Sequence, residues 1–107
     1  MTKVTVKPGI CGLISRITVT KEKDSDYKVK IKIESASDNI KRLAEQLTEA
    51  DARKEVLTNF SKSGIYQLGS DIGLHVACPV PSAIIKAIEV ETGFALPKDV
   101  EMKIEKV

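Results

Sequence analysis

Three side chains in this sequence are suited to chemistry at sulfur or at a metal: Cys11, His75 and Cys78. Cys78 stands in the run Cys78-Pro79-Val80-Pro81, just ahead of an apolar stretch with helical spacing that begins near Ser82. A thiol so placed faces the backbone N–H groups that a first helical turn leaves unbonded, and the positive end of the helix dipole. Both favour the thiolate, the form that attacks electrophiles and binds metals. Pro79 and Pro81 lack N–H groups and fix φ, so they hold the sulfur at a set angle to the helix start. A cysteine that merely fills a gap beside the helix is the plainer alternative.

Cys11 lies in Gly9-Ile10-Cys11-Gly12. Gly9 and Gly12 permit positive φ, so the turn could present sulfur and N–H groups to a metal or an anion. A plain tight turn accounts for the same residues. His75 is the lone histidine. On a strand His75 and Cys78 would point to opposite faces, so the imidazole meets the thiol only if the chain bends there. Cys11, Cys78 and His75 supply three soft ligands, one short of a closed tetrahedral zinc site, and their spacing matches no Cys-x-x-Cys or zinc-finger pattern. A metal or iron–sulfur cluster would need a further ligand, such as one from a second copy, and no feature of the composition requires a cofactor. The acidic residues show no paired spacing, and neither a phosphate loop nor a dinucleotide fingerprint occurs.

The elements that must position these residues follow from hydrophobic period. Val4 and Val6 alternate with Thr5 and Lys7, a strand that stops at Pro8-Gly9. Leu13, Ser15, Ile17 and Val19 share one face of a second strand, opposite Ile14, Arg16, Thr18 and Thr20. Polar residues 21–26 form a hairpin connection to a third strand, where Tyr27, Val29, Ile31 and Ile33 alternate with Lys28, Lys30, Lys32 and Glu34. That lysine row predicts a wet sheet face. Ser37 or Asp38 caps a helix carrying Ile40, Leu43, Ala44 and Leu47, and Asp51 caps a second through Ala52, Val56, Leu57 and Phe60. Residues 61–70 read as a loop, and 74–77 as a short strand or extended approach. Ile84, Ile85, Ala87 and Ile88 stripe a third helix closed by Gly93. Val100, Met102 and Ile104 alternate as a last strand. Strands linked by hairpins, followed by helices, predict an α+β fold of two layers. Its sheet is antiparallel-rich with about four strands, and about three helices lie mainly on one face, in a single domain over residues 1–107.

Lys and Arg total 17 and Asp and Glu 15, for a net charge of +2. With two Phe, two Tyr and no Trp, neither a concentrated basic face nor a base-stacking platform is expected, which argues against nucleic acid as a partner. No apolar run reaches the roughly 20 residues that cross a bilayer. These features predict a cytoplasmic protein, where thiols stay reduced and a structural disulfide is not expected.

Gly73-Leu74 followed by Cys78-Pro79-Val80-Pro81, an apolar helix and a strand resembles the Cys-Pro-x-Pro segment of TusA-like sulfur-carrier proteins. The resemblance implies that Cys78 carries a persulfide while Pro79 and Pro81 shape the helix start. In that family the motif comes early, after one strand, whereas here it falls in the last third of the chain. The parallel is local. The chain as a whole more closely resembles a family of small proteins from anaerobic bacteria and archaea with no settled activity, through residues 8–12 and 77–97. The expected role is sulfur transfer or thiol redox chemistry at Cys78, with Cys11 as a resolving partner and a sulfur-donor or redox protein as the other party. Metal or iron–sulfur binding through Cys11, Cys78 and His75, completed across a homodimer, is one alternative. A non-catalytic interaction domain is another.

Overall fold

The computed structural model describes residues 1–107 apart from the side chain of Cys11. The described residues form strands β1 (Thr2–Val6), β2 (Ser15–Lys21), β3 (Lys28–Ser35) and β4 (Glu49–Asp51), and helices α1 (Asp38–Gln46), α2 (Ala52–Glu55), α3 (Gly64–Ile72) and α4 (Val80–Glu91). Short 3-10 turns occupy Gly9–Cys11 and Phe60–Lys62. The strands make one sheet in the order β1-β2-β3-β4, with every neighbouring pair antiparallel. The fold is α+β, as the order of elements predicts.

The sheet's register explains its two faces. Val4, Ile17 and Ile33 pair across the first three strands, and Val19 pairs with Ile31 one step along. Successive side chains on a strand point to opposite faces. Ile17, Val19, Val29, Ile31 and Ile33 are therefore buried, while Lys28, Lys30, Lys32 and Glu34 face solvent. The apolar face is covered by α4, lying on β1 and β2, and by α1, lying on β3. Leu43, Ile65, Ile84, Ala87 and Ile88 complete the core from the helices.

Side chains fix the helix starts. The Ser37 hydroxyl accepts the Ile40 N–H of α1, and the Asp51 carboxylate accepts the Arg53 N–H of α2 at 2.9 Å. The Arg53 guanidinium hydrogen-bonds the same carboxylate and holds Asp51 down to about 2. It also lies 4.9 Å above the centre of the Tyr27 ring, which in turn stacks with Phe94 at 6.2 Å.

Several expected elements differ. Residues 61–70 are no loop: most of them belong to α3, whose start the Ser63 hydroxyl caps through the Tyr66 N–H at 3.3 Å. Gly64 and Gly69 read as loop signals, yet Gly69 is a contact residue. A methyl group there would sit 3.4 Å from Leu74 and 3.6 Å from Pro81, so its bareness lets the segment after α3 and the start of α4 come close. The second helix stops at Glu55, because that carboxylate turns to accept the Ser63 hydroxyl and the Ile65 N–H. Residues 74–77 form no strand; Val76 and Ala77 make a turn closed by the Cys78 N–H on the His75 carbonyl. Val100, Met102 and Ile104 form no strand; the fourth strand is instead β4.

Candidate functional site

Three stretches of chain converge at one end of the sheet around a cleft of about 200 Å³. Pro8, Leu13 and Ser15 come from the connection into β2, and Ser37, Asn39 and Ile40 from the start of α1. Gly73, Leu74, His75 and Cys78 come from the link between α3 and α4, and Val80 opens α4.

Local chemistry shapes each wall. Gly73 ends α3 at φ 95°, a left-handed position that glycine adopts without steric cost, and its N–H closes the helix onto Gly69 and Ser70. The chain then bends so that the Cys78 N–H donates to the His75 carbonyl at 3.0 Å. Extended backbone would separate these two side chains; the turn lets both line the cleft. Cys78 is half-buried against the core and His75 is exposed.

Immediately after Cys78, Pro79 serves as the N-cap of α4 and no side chain caps the helix. First-turn amides have no acceptor within their own helix. Since positions 79 and 81 are prolines, Val80 and Ser82 carry the N–H groups of this turn, while Ala83 already bonds the Pro79 carbonyl at 3.0 Å. Residues at the start of α1 line the cleft as well, so the positive ends of two helix dipoles border it. Asp38 in the first turn of α1 offsets part of that field.

Ser15 is the residue that the sequence reading missed as a functional candidate. It is 0% exposed, and its hydroxyl has no hydrogen-bond partner among the described residues. A buried polar group left unpaired costs about 1–3 kcal/mol, so such groups are rare without a ligand, water or function. The signal was present: Ser15 shares its inward face with Ile17 and Val19, where an apolar residue is the norm. Ser37, which read only as a helix cap, and Asn39 also line the cleft and were not singled out.

The turn Gly9–Cys11 borders the same region, because Pro8 and Leu13 on either side of it line the cleft. Gly9 and Gly12 have φ of 70° and 86°, and the Gly12 N–H closes the turn onto Gly9 at 2.9 Å. The roles expected of the Cys11 sulfur, as resolving thiol or metal ligand, lie outside the described residues. Among the described residues no group of three or more His, Cys, Asp and Glu side chains converges to hold a metal ion. His75 and Cys78 would supply two donors toward one.

A second cleft, of about 370 Å³, lies between α2 and α4 beside Phe60 and Tyr66. Its carboxylate, Glu55, is engaged in holding the start of α3. Among the described residues no helix is long and apolar enough to cross a membrane.

No curated protein and no solved structure matches the chain. Residues 2–104, which include every segment lining the first cleft, match a family described as one of unknown function, DUF6951, and the chain belongs to that family.

Proposed function

We propose that the first cleft is a thiol site in which Cys78 accepts and passes on a sulfur atom. The observation that carries this reading is the meeting of a half-buried thiol, an uncapped helix start and an unpartnered buried hydroxyl in one small space. Its volume of about 200 Å³ lies below the roughly 300–1,000 Å³ of pockets for drug-sized ligands, and suits a group of a few atoms. In the step proposed, the Cys78 thiolate attacks the terminal sulfur of a donor persulfide, R–S–SH. The donor's S–S bond breaks, R–S⁻ leaves with the electron pair, and Cys78 becomes Cys78–S–SH with no net oxidation. The uncapped start of α4 follows Cys78 directly in the chain and lines the same cleft through Val80. His75 contributes an imidazole, a group suited to moving protons. The likeness of Cys78-Pro79-Val80-Pro81 to the sulfur-carrier segment supports the same role, and the reducing cytoplasm is the compartment in which such a thiol persists.

The test is anaerobic incubation with polysulfide, followed by intact-mass and peptide analysis. The protein and its Cys11→Ser variant should each gain one sulfur atom on Cys78, released by cyanide, and Cys78→Ser should gain none there. A Cys78 that stays unmodified while free polysulfide remains overturns the reading.

A further inference from the structure

Beyond the chemistry at Cys78, and independent of it, the structure leaves a strand-patterned segment and a sheet edge without partners. Residues 97–107 adopt no regular structure, and Val100, Met102 and Ile104 are 58%, 77% and 92% exposed. Apolar side chains at every second position, separated by Glu101, Lys103 and Glu105, are what a strand needs to bury one face. Solvent alone does not reward that alternation. At the other end of the chain, β1 forms one edge of the sheet, and an edge presents a row of unpaired backbone groups to any strand that fits.

We propose that residues 100–105 of one copy add as a strand to β1 of a second copy, reciprocally, to give a two-fold dimer. An antiparallel register puts Ile104 opposite Val4 and Met102 opposite Val6, extending the apolar face that α4 covers. The same register sets Glu105 against Lys3 and Glu101 against Lys7 on the solvent face, both of them opposite-charge pairs. The other edge of the sheet fits poorly. β4 is only three residues long and carries Glu49 and Asp51, which would repel the segment's glutamates.

A second copy is the better acceptor because of where the segment starts. The Phe94 and Ala95 N–H groups bond the Glu89 carbonyl, and the Phe94 ring stacks on Tyr27, at the beginning of β3. α4 itself ends beside β1, where Glu91 accepts from Thr2 and Lys21, and by Phe94 the chain has crossed to the β3 side of the sheet. Reciprocal exchange of this kind satisfies both edges at once and closes the assembly.

Sedimentation velocity over a range of concentrations, with amide hydrogen exchange on the same samples, tests the proposal. The full chain should dimerise, and protection of residues 100–105 should rise with the dimer fraction. Glu101→Lys with Glu105→Lys should weaken dimerisation by at least about tenfold, since each attractive pair becomes repulsive in both copies. Adding Lys3→Glu and Lys7→Glu should restore it. All four side chains are exposed, so loss of the fold does not confound the result. A chain that stays monomeric, a dimer indifferent to these reversals, or protection of 100–105 that does not depend on concentration overturns the proposal. The last result would mean that the segment folds onto its own β1.

Discussion

The Cys78 N–H donates to the His75 carbonyl at 3.0 Å, and this one backbone bond puts the imidazole and the thiol on the same cleft. Because the bond runs through the main chain, His75→Gln leaves the turn in place. That variant should fold normally and load persulfide on Cys78 at least about tenfold more slowly, the lower reach of what a positioned acid–base group contributes. Rates measured by quenched-flow mass analysis decide it; an unchanged rate removes His75 from the chemistry.

Ser15 offers a separation of stability from function. Ser15→Ala deletes a buried hydroxyl with no partner among the described residues, so thermal unfolding should show a gain of about 1 kcal/mol. Persulfide loading should fall in the same protein. A lower melting temperature would show that the hydroxyl is already bonded in the folded state.

Gly73 should be costly to replace. Nothing lies within 4 Å of where its Cβ would be, so any penalty of Gly73→Ala comes from φ of 95° alone. A left-handed alanine costs about 1–2 kcal/mol. Denaturant unfolding should report a loss of that size, with Cys78 less protected from alkylation as the end of α3 shifts.

Glu91 ties α4 to the first two strands. Burial pushes its carboxyl up, but the Lys21 N–H, the Thr2 hydroxyl and the Met1 ammonium together outweigh that and hold it below its ordinary value of 4.5. A carboxyl depressed on folding adds stability that is fully present above its unfolded value and is lost as pH falls through the folded one. Glu91→Gln should therefore destabilise the protein at neutral pH, with the difference from the parent shrinking below 4.5. Urea titrations at several pH values test this, and a gap that widens on acidification would refute it.

Much of the sheet was legible because β2 and β3 obey a strict period of two and each buries one row. Ile17, Val19, Val29, Ile31 and Ile33 all fall on the face that alternation assigns them. α3 was hidden by Gly64 and Gly69, since a contact glycine and a loop glycine look alike without the partner in view. β4 was hidden for a different reason: three residues give no period to detect, and its pairing with Lys28, Val29 and Lys30 is made by tertiary contact. At the cleft, Cys78 and its prolines stood out by residue type. The bend that admits His75 did not, because it depends on Gly73 ending α3 and on Gly69 clearing space for Leu74 and Pro81.

The cleft's walls come from residues 8–15, 37–40 and 73–80, segments joined only through the finished sheet and its helices. No fragment of the chain contains a rudimentary version of it. Whatever reactivity residue 78 shows beyond that of an ordinary peptide thiol must vanish when any one of those segments detaches, which makes the rate of its labelling a gauge of global integrity readable without any spectroscopic probe.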